Sequence, residues 1–157
     1  MKLSIFVCVF NEKDSVLDVL DRVGAVDLGP GWEKEVIVVD NCSTDGTREI
    51  LQRVNRPGVR VIFHPRNLGK GSSIRSAIAA MSGDYGVIQD GDSEYDPADL
   101  PRLLRKALAE RGPDGRPAAA VFGSRVLGGH ARYKYYHAYL GVRFLTAVTN
   151  LLFGGHL

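Results

Sequence analysis

Cysteine is scarce in this chain. Cys8 and Cys42 are the only two among 157 residues. Two are too few for a disulfide framework, and they point to a reducing compartment. No block of lysine and arginine occurs, and the formal net charge is only +2. Nothing in that balance argues for a nucleic-acid partner. No apolar run reaches the roughly 20 residues of a membrane-spanning helix. The stretch 145–153 is apolar but is interrupted by Thr146, Thr149 and Asn150. The first apolar run ends at Asn11-Glu12, too short for a signal core, and no small-residue cleavage site follows. These absences make a cytoplasmic location the expectation. There is also no internal repeat.

Glycine is plentiful, at 18 residues, which implies tight turns and close backbone approaches. The chain is long enough for one domain with a substantial core. Apolar and helical patterns alternate along it. Strands are expected over 3–10, 35–39, 59–63, 85–88 and 118–122. Between them, apolar residues recur at helical spacing: Val16, Leu17, Leu20 and Val23; Thr47, Ile50, Leu51 and Val54; Ile74, Ala77, Ile78 and Met81; Leu100, Leu103, Leu104, Ala107 and Leu108. Pro101 is tolerable because it falls in a first helical turn. Continuous apolar strands separated by amphipathic helices predict an α/β fold, a mostly parallel sheet with helices on both faces. From about Tyr135 the chain reads helical again, with Tyr136, Leu140, Phe144, Ala147 and Leu151 on one side.

Ligands of open α/β sheets bind at the carboxyl ends of the strands. The polar clusters fall there: Asn11-Glu12, Asp40-Asn41 with Asp45, Asn67 to Gly71, Gln89 to Glu94, and Gly123-Ser124-Arg125. The fourth cluster is the most informative. In an extended segment the side chains of Asp90, Asp92 and Glu94 point the same way. Three converging carboxylates repel unless a cation joins them, and oxygen ligands suit Mg2+ or Mn2+. The plainer reading is an acidic surface loop, since Asp-Gly and Asp-Pro are turn dipeptides. Gly69-Lys70-Gly71-Ser72 opens a helix and reads either as a glycine-rich helix entry with a solvated lysine or as an anion site. It lacks the earlier glycine of a Walker A loop. Asp40 reads as an acceptor for a ribose or base, or as a cap. Asp45 reads as a cap. Arg125 reads as a phosphate ligand or as an ion-pair partner on the same edge.

The ordered segments Val-Cys-Val-Phe-Asn-Glu (7–12), Glu-Val-Ile-Val-Val-Asp-Asn-Cys-Ser-Thr-Asp-Gly-Thr (35–47), Asn-Leu-Gly-Lys-Gly (67–71), Gly-Asp-Tyr (83–85), Gln-Asp-Gly-Asp-Ser-Glu-Tyr-Asp-Pro (89–97) and Phe-Gly-Ser-Arg (122–125) resemble the family 2 glycosyltransferases. Within that family the chain is most similar to the dolichyl-phosphate mannose synthase and polyprenyl-phosphate glycosyltransferase branch. The resemblance implies the GT-A, Rossmann-like fold. It implies one glycosyltransferase domain over 1–157, with 1–125 as the nucleotide-sugar part and 126–157 as the start of an acceptor-side region that breaks off.

It further implies a nucleotide diphosphate sugar donor, GDP-mannose or UDP-glucose. Glu12, Asp40 and Asp45 would lie in the nucleoside region. Asp90, Asp92 and Glu94 would hold the divalent ion against the diphosphate, with Gly91 letting the donor approach. Lys70, Arg125 and Arg132 would border the phosphates, with Asp92, Lys70 and Arg125 carrying catalysis. The implied reaction is inverting transfer of a hexose to a polyprenyl or dolichyl phosphate. That acceptor is already ionised near neutral pH and needs no strong protein base. Alternatives are a sugar or small-metabolite acceptor, which would need a general base, or a donor-binding module without turnover. The tyrosine-rich stretch Tyr133, Tyr135, Tyr136 and Tyr139 reads as part of a core-packing helix or as a peripheral contact on the cytoplasmic face of a membrane. Oligomeric state is not legible. The chain departs from the family pattern at Cys8 (often Pro), Asn41 (often Asp), Cys42 (commonly Gly) and Gly91 (often Ala).

Overall fold

The computed structural model describes residues 1–92, 95–111, 115, 120–123 and 136–153. It divides into two compact units, Met1–Val121 and Phe122–Leu157. In the first, β1 (Lys2–Val9), β2 (Glu33–Asp40), β3 (Val59–Phe63) and β4 (Tyr85–Asp90) alternate with α1 (Val16–Ala25), α2 (Thr47–Gln52), α3 (Lys70–Ala80) and α4 (Leu100–Ala109). A single 3-10 turn, Pro97–Asp99, leads into α4. The second unit contains α5 (Tyr136–Phe153).

The four strands pair in the order β3-β2-β1-β4, and every pairing is parallel. All their carboxyl ends therefore share one edge, in register Val9 with Asp40, Cys8 with Asp90 and Asp40 with Phe63. β1 lies at the centre with β2 and β4 beside it. From β1 the chain builds outward to β2 and β3, then returns across the sheet to β4 on the other side of β1. That reversal opens a crevice above the end of β1.

Alternation along each strand explains why the strands read as unbroken apolar runs. Leu3, Ile5, Val7 and Val9 of β1, with Val36 and Val38 of β2, face a core completed by Val16, Val19, Leu20 and Val23 of α1, Leu51 of α2 and Leu100 and Leu104 of α4. Phe6, Ile37 and Val39 point to the other face, where Ala77 of α3 covers them. The inner strands β1 and β2 are thus covered on both faces, as a parallel sheet requires, whereas Ile88 of β4 stays exposed. Gly86 makes room for this second face. A Cβ there would lie 2.8 Å from Phe6 Cζ.

Several boundaries differ from expectation. β2 begins at Glu33 and β4 runs through Asp90. Leu17 and Ile78 are exposed rather than buried, and Val19 takes Leu17's place in the core. The helical count places Leu17 off the α1 stripe, because Val16, Val19, Leu20 and Val23 already follow the i, i+3, i+4, i+7 pattern. The expected fifth strand is not seen in its described part, since Ala120–Gly123 carries no strand; residues 118 and 119 lie outside the described residues. In α5, Leu140, Phe144 and Leu151 are exposed. Among the described residues no helix is long and apolar enough to cross a membrane.

Candidate donor-binding site

The crevice is an open cleft of about 340 Å³, within the size range of small-molecule sites. β1 and the turn after it contribute Cys8, Val9, Phe10 and Glu12. The turn after β2 contributes Asn41, the loop into α3 contributes Asn67 and Gly69, α3 contributes Lys70 and Ser73, and the end of β4 with the turn beyond it contributes Asp90, Gly91 and Asp92.

At its centre Lys70 Nζ donates to Asp90 Oδ1 at 2.6 Å. The Asp90 side chain is only 18% exposed, whereas that of Lys70 is 57% exposed. The hydrogen bond to Asp90 raises the Lys70 pKa, so the ammonium is charged throughout the neutral range. Cys8 stands beside the pair. Burial, opposed by the Lys70 charge and reinforced by Asp90, pushes its thiol up to about 11. Cys8 is therefore a neutral wall of the cleft and not a thiolate nucleophile.

The loop carrying Lys70 is pinned from below. Asn41 Nδ2 donates to Asn67 Oδ1 at 2.8 Å, and Gly69 N donates to that same oxygen at 3.0 Å. Asn41 Oδ1 accepts Leu68 N at 2.9 Å and lies 3.1 Å from His64 Nδ1. Because Asn41 Oδ1 only accepts, His64 must carry its proton on Nδ1. Its Nε2 then meets Ser76 Oγ at 2.9 Å, tying the network to the next turn of α3. Gly69 has φ 81°, the left-handed region that glycine enters freely.

The β1 and β2 turns are laced together in the same way. Asn11 N donates to Ser43 Oγ, Thr44 N to Asn11 Oδ1, Glu12 N to Thr47 Oγ1 and Lys13 N to Asp45 Oδ2. Asp45 Oδ1 accepts both Thr47 N at 3.0 Å and Thr47 Oγ1 at 2.5 Å. The Thr47 hydroxyl bond leads the causes that lower the Asp45 pKa. Asp40 is fully buried. Its Oδ1 accepts Ser43 N at 3.0 Å, and its Oδ2 lies 3.2 Å from Arg48 Nη1. That guanidinium also donates to His64 O and covers the Phe63 ring. Glu12 Oε2 accepts the Ser15 hydroxyl at 2.5 Å.

The structure thus gathers Glu12, Lys70, Asp90, Gly91 and Asp92 of the expected site into one cleft. Asp40 and Asp45 do not line it and instead hold the turn between β2 and α2. Glu94, Arg125 and Arg132 lie outside the described residues. Extended alternation holds only as far as Asp90, where β4 ends. Asp92 lines the cleft from the turn beyond, which Gln89 helps to close by donating from Nε2 to Tyr95 O at 3.1 Å. The smallness of Gly91 has a packing cause. A Cβ there would sit 2.5 Å from Val9 Cγ1 and 3.2 Å from Cys8 O.

Asn41 and Asn67 belong to the polar clusters expected at the strand ends, where the sequence assigns them no individual role, and both line the cleft. Ser73 lies outside those clusters and lines it too. Ser73 follows Lys70 at the i+3 helical spacing that shares a face. Among the described residues its buried Oγ has no hydrogen-bond partner.

Among the described residues no three His, Cys, Asp or Glu side chains come together as a metal cage. Asp90 and Asp92 nevertheless fit a hard divalent ion, which is commonly held by one or two carboxylates with substrate phosphates and water completing the shell. The Lys70 ammonium already stands as a cation on Asp90 Oδ1.

Comparison with known proteins agrees with this architecture. The described architecture is that of the GT-A glycosyltransferases. A mannosyltransferase from Pyrobaculum calidifontis, solved with GDP-Man and Mn2+, is 26% identical, with a TM-score of 0.58 over 66% of this chain and 31% of that one. Glucosyl-3-phosphoglycerate synthase from Mycobacterium tuberculosis, solved with Mn2+, UDP and phosphoglyceric acid, is 30% identical, with a TM-score of 0.56 over 71% of this chain and 40% of that one. In sequence, the undecaprenyl-phosphate 4-deoxy-4-formamido-L-arabinose transferase of Edwardsiella ictaluri is 34% identical over 67% of this chain. The match spans about a third of that relative's length, 33%. The family model described as glycosyl transferase family 2 matches residues 4–153. The chain belongs to the family 2 glycosyltransferases.

Proposed function

We propose that this chain carries the donor-binding part of an inverting glycosyltransferase that moves a hexose from a nucleotide diphosphate sugar to a polyprenyl phosphate. The observation that carries this reading is the cleft at the β1–β4 edge, where Lys70 pairs with Asp90 beside Asp92. One cation and two carboxylates at the end of parallel strands suit a diphosphate bound with a divalent ion. The undecaprenyl-phosphate sugar transferases among the relatives support the acceptor class. The solved neighbours holding GDP-Man or UDP with Mn2+ support the donor class.

Asp90 and Asp92 would hold Mg2+ or Mn2+. Such an ion supplies positive charge where the departing diphosphate gains negative charge. Lys70 would contact the diphosphate from the N-terminus of α3. Glu12 would border the nucleoside. Asp40 and Asp45 would act on the nucleoside region indirectly, by holding the 41–47 turn. Glu94 would add a third carboxylate, and Arg125 and Arg132 further cations at the phosphates. A cytoplasmic position, peripheral to the membrane that holds a polyprenyl phosphate, fits this acceptor.

The test is a donor titration followed by a transfer assay. GDP-mannose and UDP-glucose are titrated calorimetrically with and without Mn2+, then each is incubated with a polyprenyl phosphate. Metal-dependent donor binding with transfer supports the reading. Binding without transfer supports a donor-binding module. Absence of binding to any nucleotide diphosphate sugar refutes both. Transfer to phosphoglycerate alone would favour the small-acceptor alternative that the mycobacterial neighbour represents.

A further inference from the structure

We propose that Lys70 is an exchangeable counter-ion that competes with the divalent ion for Asp90 and so makes metal and nucleotide binding depend on each other. This rests on the donor-and-metal reading above.

Three observations carry it. First, Lys70 Nζ is 2.6 Å from Asp90 Oδ1, inside the space any cation on that oxygen must occupy. A metal ion reaching Asp90 displaces the ammonium or shares one carboxylate with it, and two cations there repel. Second, the two partners are unequally shielded. Asp90 is largely covered while the Lys70 head is open to water, so the lysine can leave without being trapped unpaired in an apolar site. Third, the backbone beneath Lys70 is fixed. Asn67 Oδ1 holds Gly69 N, and Asn41 Oδ1 holds Leu68 N. The exchange is then a rotation of the flexible lysine stem about its own torsions.

The consequence is a thermodynamic coupling. Without nucleotide, the metal meets an occupied carboxylate. With nucleotide, the diphosphate oxygens give the ammonium a new partner and Asp90 is released to the metal. Each ligand thereby tightens the other by the same factor. This coupling adds to any direct contact between metal and phosphate.

The experiment measures Mn2+ affinity from the free-ion electron paramagnetic resonance signal, for the 157-residue chain and for Lys70→Met, Lys70→Gln and Lys70→Arg. Each is titrated alone and with saturating GDP or UDP. Thermal melts without ligand verify folding, and the exposed position of the side chain makes two neutral variants practicable. In the absence of nucleotide, Lys70→Met and Lys70→Gln are expected to bind Mn2+ about tenfold more tightly than the parent chain. The tightening of Mn2+ by nucleotide is expected to shrink in both by about the same factor. Lys70→Arg keeps the charge and is expected to follow the parent. Unchanged or weaker Mn2+ binding by the neutral variants, with nucleotide binding intact, overturns the exchange alone. Failure of every protein to bind Mn2+, with and without GDP or UDP, overturns the donor reading together with it.

Discussion

Gly91 packs directly beneath Val9, so that a Cβ at 91 would fall 2.5 Å from Val9 Cγ1. Real side chains do not approach that closely, and the short, branched valine has little freedom to withdraw. Gly91→Ala is therefore expected to lower stability by about 1–3 kcal/mol through overpacking. Urea unfolding of Gly91→Ala, Val9→Ala and the double variant gives the coupling. Recovery of stability in the double variant, beyond the sum of the singles, is the expected result. Additive effects would show that Val9 is not the obstruction.

Asp92 lines the cleft beside Asp90. Asp92→Asn keeps the shape and removes the charge. It is expected to weaken metal-dependent donor binding tenfold or more, about 1.4 kcal/mol. Calorimetry with GDP-mannose and UDP-glucose, with Mn2+ present, measures it. Unchanged affinity would remove Asp92 from the metal site.

Asn41 both donates to Asn67 Oδ1 and accepts from Leu68 N. An aspartate keeps the acceptor and loses the donor. Asn67 cannot turn its amide round to compensate, because its oxygen also accepts Gly69 N. Asn41→Asp is expected to cost about 1–2 kcal/mol. Amide hydrogen exchange at Leu68 and Gly69 is expected to accelerate before that of the β1 core. Exchange rates matching the parent chain would show that the amide pair does not hold this loop.

Glu35 lies at the far edge of the sheet from the cleft. Its carboxylate accepts Ser4 Oγ, Ser82 N and Ser82 Oγ, and lies 3.2 Å from Lys2 Nζ. Desolvation raises its pKa. The hydrogen bonds from Ser4, Ser82 and Lys2 together outweigh this and lower it from an ordinary 4.5 to about 2. A carboxylate depressed on folding stabilises the protein above its unfolded pKa, and that contribution is lost as pH falls towards the folded value. Stability is thus expected to fall between pH 4.5 and about 2 on account of Glu35. Glu35→Gln is expected to lower stability near neutrality by about 1–3 kcal/mol and to flatten the acid limb. Melting temperatures across that range measure both. An acid limb of unchanged slope would mean that other carboxylates carry it.

Much of the fold was legible because the signals are local. β3 runs over Val59–Phe63 as expected, and α4 begins at Leu100 with Pro101 in its first turn. Cys42 shows what a single position can conceal. Its φ of 66° lies in the left-handed region, which favours glycine over a residue with a Cβ. No property of the cysteine itself signals it. The expected fifth strand is not seen at Ala120–Phe122, although the run over 118–122 is apolar. Pairing partners, and not apolarity, make a strand, and Val121 and Phe122 show no ladder in the described residues.

The sequence by itself determined the kinds and order of the first four strands and helices, and it placed the polar clusters that follow those strands at their ends. Period and run length are properties of neighbouring residues, and parallel strands put every carboxyl end on one edge. Tertiary structure alone decided which of those polar groups meet. Lys70 and Asp90 are twenty residues apart and touch only because β4 pairs with β1 instead of β3. Asp40 and Asp90 look alike as strand-ending aspartates. Asp40 is buried by Arg48 and the 41–47 turn, while Asp90 opens on the cleft. That difference is set by what packs over each strand end, and no local pattern encodes it.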